Sequence, residues 1–202
     1  SLASFILLPL CGGSLQILQY GLVLLWPLTA VSLLMVYINL QHGQIWSDAL
    51  TGLNNRRRFD QYIKEHSRAA DSWYLIMIDL DDFKKINDTY GHLTGDEALR
   101  QTAGLLKKAF GKTNSFLARY GGDEFAVILD AQSKVEVAGS IAMLNAALTH
   151  ARYHGEQQYT LSLSIGYARY HSGNTGGIEA LIARADQQMY RQKEAKKTKK
   201  RE

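Results

Sequence analysis

The chain has 202 residues and a formal net charge of +4, from 23 Lys and Arg against 19 Asp and Glu. Its single cysteine, Cys11, excludes an intrachain disulfide framework and a cysteine-based metal site. The charge is unevenly spread, because residues 1–47 contain no Asp, Glu, Lys or Arg. We therefore expect an apolar N-terminal part joined to a charged domain of about 150 residues, a usual size for one folded unit.

The excess of positive charge is concentrated in residues 196–201. Such a segment suits nucleotide phosphates, nucleic acid or anionic lipid, or is simply a solvated end, and charge alone does not choose among these. No basic patch with interleaved aromatic residues, of the kind that nucleic-acid binding needs, is present in the sequence. We expect no nucleic-acid partner.

The apolar part predicts a membrane segment. Residues 17–38 would rise roughly 33 Å as one helix, against a hydrocarbon core of about 30 Å, and Pro27 would kink it. The alternative is a buried helix of a soluble bundle. Residues 2–10 are too short to cross alone, and we expect them to be the end of an earlier span, followed by a turn at 11–14.

These patterns predict four regions along the chain. They are one or more transmembrane segments at 1–40, as the C-terminal part of a larger membrane region, a linker helix at 41–50, a folded domain at 48–197 and a basic tail at 198–202. The first charges after the apolar part include Arg56, Arg57, Arg58 and Lys64. Because basic residues are enriched on the cytoplasmic side of membrane segments, the domain is expected in the cytoplasm.

The folded domain begins with a turn-rich stretch at 48–56, in which Asp48 or Thr51 is a possible cap. The pattern then predicts a helix at 55–66, a strand at 73–79, a short helix at 80–90 and a longer helix from Thr94 to about Phe110. The strand is a nearly continuous apolar run, typical of a central strand covered on both faces. Gly91 is well suited to end the short helix.

Two further apolar runs, 116–119 and 125–129, predict a β-hairpin. Gly121 and Gly122 lie between them, and paired glycines predict a turn with positive φ. Beyond the hairpin the pattern predicts a helix at 133–150, a strand at 159–167 and a helix at 177–193. The order β-α-α-β-β-α-β-α predicts an α/β (α+β) fold with a mixed, mainly antiparallel sheet flanked by helices, preceded by the transmembrane helix.

Acidic residues lie at two points of this fold where chemistry is commonly found. Asp79 ends the buried strand, where α/β folds gather their functional groups, although a structural cap is an equal alternative. The N–H groups of the following turn are suited to phosphate. Asp123 and Glu124 lie together at the hairpin tip, and hard divalent cations prefer such oxygen ligands. Taken alone, this tip is more often a solvated acidic turn.

Six ordered segments together resemble the GGDEF family of diguanylate cyclases. They are Asp48-x-Leu50-Thr51-Gly52-Leu53-x-Asn55-Arg56, Asp79-Leu80-Asp81-x-Phe83-Lys84-x-Ile86-Asn87-Asp88, Gly91-His92-x-x-Gly95-Asp96, Arg119-Tyr120-Gly121-Gly122-Asp123-Glu124-Phe125, Leu163-x-Ile165-Gly166 and Ala185-Asp186-x-x-Met189-Tyr190-x-x-Lys193. The resemblance covers residues 48–197. Six segments at compatible spacing are far more specific than the five-residue hairpin motif alone.

The resemblance implies a nucleotidyl-cyclase or polymerase-palm-like fold and an enzyme that condenses two GTP into cyclic di-GMP and pyrophosphate. In the family two domains meet face to face, each with one GTP, so a homodimer is expected. Asp79, the carbonyl of Leu80 and Asp123 would hold Mg²⁺, for which Mn²⁺ can substitute. Asp123 would also accept the 3′-hydroxyl proton, with support from Glu124, and Lys84 would stabilise the transferring phosphoryl group.

The same resemblance implies a substrate-binding set of Phe83, Asn87, His92, Asp96, Lys193 and Lys197. Asn87 and Asp96 would recognise guanine, because a carboxylate accepts from N1–H and N2–H₂ and adenine offers no such pair. His92 would line the same pocket, and the two lysines would meet the phosphates. Taken singly, Lys84 is also typical of a surface lysine, and His92 of a cap or surface residue.

The chain departs from the family pattern in two places. The last helix of the family commonly ends in Lys-x-x-Gly-Arg-Asn, whereas this chain has Lys193-Glu194-Ala195-Lys196-Lys197-Thr198, and Lys lacks the bidentate fork of Arg. Many members carry an inhibitory Arg-x-x-Asp before the hairpin, where this chain has Lys112-Thr113-Asn114-Ser115. We therefore predict no product inhibition of the usual kind.

The leading interpretation is a diguanylate cyclase of the bacterial cytoplasmic (inner) membrane, with GTP, a second copy and the lipid bilayer as partners. One alternative is a catalytically silent receptor for GTP or cyclic di-GMP, whose usual signature is a damaged glycine–acid turn. Another is a membrane signalling module that dimerises through its N-terminal helix. That module would not depend on Asp123.

Overall fold

A computed structural model describes residues 2–19, 23–43, 46–111, 113–150, 159–173 and 176–199. It divides the chain into two units, Ser1–Trp46 and Ser47–Glu202.

The N-terminal unit contains two helices, α1 (Leu2–Leu18) and α2 (Leu25–Gly43). They approach closely at Gly12, where an added Cβ would lie 2.6 Å from Leu28 Cδ1 and 3.2 Å from the Leu24 carbonyl oxygen. Hydroxyl groups bond within their own helices, as Thr29 Oγ1 donates to the Leu25 carbonyl at 2.6 Å. A small residue thus allows the two helices to pack backbone to side chain.

The single helix expected at 17–38 is wrong. The chain leaves α1 after Leu18 and re-enters a helix at Leu25, and the turn expected at 11–14 lies inside α1. Pro27 falls in the first turn of α2, where its missing N–H removes no helical hydrogen bond, so it starts a helix and does not kink one. Across the described residues, neither helix has both the length and the apolar character that crossing a bilayer requires.

The linker helix expected at 41–50 is also wrong beyond its first residues. Helix α2 ends at Gly43, Ser47 forms an isolated bridge with Asn54, and Asp48 N–H donates to the Leu53 carbonyl at 2.8 Å. The Asp48 carboxylate accepts from the N–H and the hydroxyl of Thr51. This side chain stabilises a closed loop in place of a helix.

The C-terminal unit is built on a five-stranded sheet. Its strands are β1 (Asn54–Asn55), β2 (Ser72–Leu80), β3 (Ser115–Arg119), β4 (Glu124–Leu129) and β5 (Leu163–His171), in the order β1-β3-β4-β2-β5. Only the β1–β3 pair of these strands is parallel. The predicted mixed, mainly antiparallel sheet flanked by helices is confirmed, with a two-residue edge strand that the sequence did not predict.

Strand β2 is the centre of the unit. It pairs with β4 on one side and β5 on the other, and every residue from Trp73 to Leu80 is buried. Alternate side chains enter two separate cores, one with Tyr74, Ile76 and Ile78 and the other with Trp73, Leu75 and Met77. A strand with apolar layers on both faces needs the unbroken apolar run that the sequence shows.

The described residues of this unit form five helices. They are α3 (Arg56–Ala69), α4 (Phe83–Tyr90), α5 (His92–Phe110), α6 (Lys134–His150) and α7 (Gly177–Lys199). Helix α3 is capped by Asn55, whose Oδ1 accepts from Arg58 N–H at 3.0 Å. Gly91 ends α4 with a φ of 85°, as predicted. Helix α7 continues six residues beyond the predicted end at Lys193.

Strand β5 begins four residues later than the predicted strand at 159–167. Its partner β2 ends at Leu80, opposite Leu163, so the preceding residues have no strand to pair with. Along the outer edge of β5, Gln188 Oε1 accepts from Tyr167 N–H at 2.8 Å, and Gln192 Oε1 accepts from Ile165 N–H. A Cβ at Gly166 would overlap the α7 backbone. Helix α7 is therefore held directly against the edge of the sheet.

Candidate active site

The β3–β4 hairpin forms one side of the candidate site. Its tip is closed by the N–H groups of Tyr120 and Gly121, which donate to the Glu124 carbonyl at 2.8 and 3.1 Å. The positive φ expected at Gly121 and Gly122 is wrong, because this longer loop is not the two-residue turn that requires it. Gly121 packs against the Glu124 side chain, since a Cβ there would lie 2.5 Å from Glu124 Oε2 and 3.4 Å from its Cβ.

Arg119 fixes the tip from behind. Its Nη2 and Nε donate to the Gly122 carbonyl at 2.7 and 3.2 Å, and its Nη1 lies 3.1 and 3.2 Å from the Asp48 carboxylate oxygens. Burial raises the pKa of Asp48, but the hydrogen bonds from Thr51 and the nearby Arg119 lower it by more. The pKa of Asp48 therefore lies below its ordinary value. This ion pair between the first loop and the hairpin was not predicted from the sequence.

Asp79 brings the end of β2 to the same place. It lies opposite Glu124 on β4 and Ser164 on β5, and the N–H of Leu80 donates to the Asp123 carbonyl at 3.0 Å. The expected metal ligands Asp79, Leu80 and Asp123 are thus adjacent at one end of the sheet. They come together because antiparallel pairing sets the C-terminal end of β2 beside the start of β4.

Lys193 contacts Asp79 from α7. Its Nζ lies 2.6 and 2.8 Å from the two carboxylate oxygens of Asp79, whose side chain is 8% exposed. Burial raises the pKa of Asp79, Lys193 lowers it, and Asp123 and Asp81 raise it again, so that the pKa lies above its ordinary value. The pKa of Lys193 is also raised, because the carboxylates outweigh its own burial. The raised pKa of Asp79 reflects its burial, whereas the raised pKa of Lys193 reflects its attraction to the carboxylates.

Glu124 completes this crowding of carboxylates. Burial raises its pKa, and the negative charges of Asp186, Asp123 and Asp79 raise it further, against a smaller opposing effect of Lys193. Asp79, Asp123, Glu124 and Asp186 therefore lie close enough for their charges to interact, while Lys193 is paired with Asp79. Such an arrangement destabilises the fully ionised site and favours the arrival of further positive charge.

In the described part of the chain, no group of three or more His, Cys, Asp or Glu side chains is placed to hold a metal ion. The oxygen ligands nevertheless fit Mg²⁺, which proteins commonly hold with one or two carboxylates while water and substrate phosphate complete its coordination. Asp79, Asp123 and the Leu80 carbonyl form such a partial set. A cation would relieve the repulsion that raises the pKa values of Asp79 and Glu124.

Asp81 and Lys196 form a second, partly buried ion pair that the sequence did not predict. Lys196 Nζ lies 2.8 Å from Asp81 Oδ2 and donates to the Leu163 carbonyl at 2.5 Å. Ser162 and Ser164 donate to the same carboxylate at 2.6 and 2.5 Å. Burial raises the pKa of Asp81, but these hydrogen bonds outweigh it, and the pKa is lowered. Lys196 stands where the family pattern has glycine. This departure is the sequence feature that could have indicated the ion pair.

The predicted nucleotide-binding residues of α4 and α5 share one surface. The backbone of Gly95 packs against Asn87 and Phe83, so closely that a Cβ there would overlap the Asn87 amide. Asp96 follows Gly95 and is half-buried, as are Asn87 and Phe83. The surface begins after Asp82, a non-glycine residue with a φ of 58° at the strand-to-helix turn. A left-handed residue there lets α4 start immediately beyond the end of β2.

Three predicted site residues are not drawn into the cluster. Lys84 and His92 are exposed, and no hydrogen bond or ion pair joins either of them to the described carboxylates. Lys197 Nζ lies 2.9 Å from Glu194 Oε1 on its own helix, and both side chains are about half exposed. Lys193 and Lys196 are the basic residues of α7 that the structure places against buried carboxylates, those of Asp79 and Asp81.

The C-terminal unit thus combines a carboxylate cluster at one end of a central strand with a glycine-containing hairpin beside it. Residues 45–199 match the family described as diguanylate cyclase, GGDEF domain. The chain belongs to this GGDEF family, as the six motifs predicted.

Curated relatives and solved structures agree with this assignment. The diguanylate cyclase DgcS of Shewanella oneidensis is 36% identical over 91% of this chain and 66% of its own length. The diguanylate cyclase DgcP of Pseudomonas aeruginosa is 37% identical over 77% of this chain but only 23% of its own length. The coiled coil and GGDEF domain of DgcB from Caulobacter crescentus, solved with c-di-GMP, superposes with a TM-score of 0.72 at 27% identity, covering 82% of this chain and 90% of that one.

Proposed function

We propose that this chain condenses two GTP molecules into cyclic di-GMP and pyrophosphate, as a homodimer in which each copy binds one GTP. The chain spans less than two thirds of the length of these curated relatives, so the activity is inferred from the domain itself. The observation that carries the proposal is the convergence of Asp79, Asp123 and Glu124 beside the Phe83–Asn87–Gly95 surface. One copy forms only half of the active site, because the attacking and receiving nucleotides must face each other.

The acidic cluster would bind and activate the reacting groups. Asp79, Asp123 and the Leu80 carbonyl would hold Mg²⁺, with Mn²⁺ as a substitute, and this ion would stabilise the negative charge on the triphosphate. The Asp123 carboxylate accepts the 3′-hydroxyl proton of the attacking nucleotide, and Glu124 supports it. The new bond joins that 3′-oxygen to the α-phosphorus of the other GTP, and the bond to the leaving pyrophosphate breaks. The same step in the opposite direction closes the ring, so that two bonds form and two pyrophosphates leave.

Lys193 has two positions in this proposal. Without nucleotide it neutralises Asp79. When the triphosphate is bound, the amine turns from Asp79 to the phosphate oxygens, which carry more negative charge than one carboxylate. Lys84 and Lys197 lie on the surface and reach the phosphates only by reorienting their flexible side chains.

The half-buried face of α4 and α5 would select guanine. Asn87 and Asp96 present an amide and a carboxylate to the base, and the carboxylate accepts from N1–H and N2–H₂ together. Phe83 provides an apolar contact, and His92 borders the opening. Adenine lacks the paired donors and would leave the carboxylate desolvated without a partner.

We further propose that the N-terminal unit holds the enzyme at the bacterial cytoplasmic membrane, with the GGDEF domain in the cytoplasm. The support is the absence of charge in residues 1–47 and the exposure of large apolar side chains, including Ile17 at 87%, Leu18 at 81% and Trp26 at 74%. Confinement at a membrane would also raise the effective concentration of the two half-sites.

One assay tests the proposed activity. The full chain is incubated with GTP and Mg²⁺, and the products are identified by chromatography, for the unmutated protein, Asp123→Ala and the exposed control Asp60→Ala. We expect cyclic di-GMP from the first and third proteins and a loss of at least about 100-fold in the second. Absence of product at concentrations where the protein dimerises would contradict the proposal, and activity independent of Asp123 would point to a signalling module.

A further inference from the structure

A cavity of about 410 Å³ lies at the opposite end of the sheet from the candidate active site. Tyr74 of β2 lies in its wall, five residues from Asp79, which corresponds to about 17 Å of extended strand. The cavity is bordered by the start of α6, the end of β5 and the first half of α7. It shares no lining residue with the acidic cluster.

The lining of this cavity is strongly basic. It includes Lys134 of α6, Arg169 and His171 of β5, and Arg184 of α7, and no described carboxylate lines it. In the described structure Lys134, His171 and Arg184 form no ion pair. Two acids close in sequence to the lining residues have hydrogen bonds of their own: Asp71 accepts from the Ser172 hydroxyl, and Glu136 accepts from Gln132 N–H and the Ser133 hydroxyl. Three separate elements therefore bring positive charge to one point.

Arg169 is held in place before any ligand arrives. Its Nε donates to Ser72 Oγ at 3.0 Å, and its guanidinium carbon lies 5.8 Å from the centre of the Tyr74 ring. Tyr167 lies beside Tyr74, with ring centres 6.4 Å apart at an angle of 56°. The cavity thus combines an ordered guanidinium with an aromatic wall, and little side-chain entropy would be lost there on binding.

The side-chain amide of Gln188 on α7 also lines the cavity. Its Oε1 accepts from Tyr167 N–H on the outer edge of β5 at 2.8 Å, which holds this side of the cavity in place. The basic side chains supply the charged donors that an oxyanion site commonly uses.

We propose that this cavity binds a small phosphorylated aromatic ligand, of the nucleoside diphosphate or triphosphate class, at a site separate from the active site. The cations match the phosphates, Tyr167 offers a ring for the base, and the volume falls within the range of small-molecule sites, about 300–1,000 Å³. Arg184 lies on the same helix as Lys193, so a ligand here contacts the element that reaches Asp79. The proposal does not rest on the cyclase activity.

Calorimetric titration of the full chain without Mg²⁺ tests the proposal, with ADP and inorganic pyrophosphate as probes. We expect ADP to bind at least fivefold more tightly than pyrophosphate, because only ADP carries a base. We expect Lys134→Gln/Arg184→Gln to lower the ADP affinity at least tenfold. The matched control Lys108→Gln/Arg191→Gln removes the same charge from exposed sites outside the cavity. Its affinity for ADP should stay within twofold of that of the unmutated protein.

Four results would overturn the proposal. Two of them concern the unmutated protein: no binding of ADP at millimolar concentration, or equal affinity for ADP and pyrophosphate. The other two concern the variants: an equal loss of ADP affinity in both double variants, or no loss in Lys134→Gln/Arg184→Gln. All four exchanged residues are exposed, so both double variants should fold, and equal melting temperatures would confirm it. Amide hydrogen exchange provides an independent measurement: ADP should slow exchange at residues 167–171 in the unmutated protein but not in Lys134→Gln/Arg184→Gln.

Discussion

The two ends of strand β2 have opposite charge balance, although one helix, α7, supplies basic residues to both. At the C-terminal end the carboxylates outnumber the cations, and Lys193 and Lys196 are already paired with Asp79 and Asp81. At the N-terminal end basic side chains surround a cavity without any lining carboxylate. Between these two charged ends, the side chains of β2 are neutral and fully buried. Acidic and basic side chains thus collect at opposite ends of one sheet, too far apart to neutralise each other.

The largest effect should follow from removing charge at the acidic end. Asp79→Asn keeps the shape of the side chain but removes the carboxylate that we propose as a metal ligand, and we expect cyclase activity to fall at least about 100-fold. The same change relieves repulsion from Asp123 and Asp81, so the melting temperature should not fall. Rates of product formation and thermal unfolding measure the two effects, with the exposed Asp60→Asn as control. A melting temperature that falls together with activity would show that the carboxylate is structural.

The two lysines at the end of α7 should differ in their contribution to stability. Lys196→Met leaves the Asp81 carboxylate, 8% exposed, without its cation, and we expect a loss of about 2 kcal/mol in the free energy of unfolding. Lys197→Met removes an exposed pair with Glu194 and should cost less than about 0.5 kcal/mol. Urea denaturation of both variants checks the difference. Equal losses would mean that the Asp81–Lys196 pair adds nothing beyond a surface contact.

A smaller effect should appear in the pH dependence of stability. The pKa of Asp79 is raised above its ordinary value of 3.8, so the folded protein holds this proton to higher pH than the unfolded chain does. Stability therefore falls as the pH rises from about 4 through the raised pKa. Lys193, whose pKa is raised from 10.5, titrates outside this window. The stability advantage of Asp79→Asn should be larger at about pH 7 than at about pH 4.5, and an advantage that shrinks with pH would contradict the assignment.

The smallest expected effect is that of added product. Of the four positions that replace the family's inhibitory motif, Lys112 lies outside the described residues, while Asn114 Nδ2 donates to Asp130 Oδ2 at 2.6 Å. Asp130 also lies 2.6 Å from His66 Nε2, so this amide belongs to a structural cluster at the basic end of the sheet. We expect progress curves that are insensitive to added cyclic di-GMP. Strong inhibition at micromolar product would show that another surface replaces the missing motif.

The amino-acid sequence was sufficient for those parts of the protein that depend on near neighbours. The apolar run of β2 predicted its burial on both faces, Gly91 predicted the end of α4, and the motif spacing predicted the GGDEF family. These features depend on side-chain alternation or on local backbone conformation, which a few adjacent residues determine. The same reasoning failed at 17–38, because an apolar run does not reveal where a helix is interrupted.

Only the tertiary structure decided which charges meet. Arg119 and Asp48 are 71 residues apart, Lys193 and Asp79 are 114 apart, and Lys196 and Asp81 are 115 apart. No periodicity extends over such distances, and a lysine in a basic tail has the same sequence pattern whether it is solvated or paired. The pairing of β5 with β2 and the seating of α7 on Gly166 bring these partners together. The close packing of a helix on a glycine thus determines where the positive charge of the last helix acts.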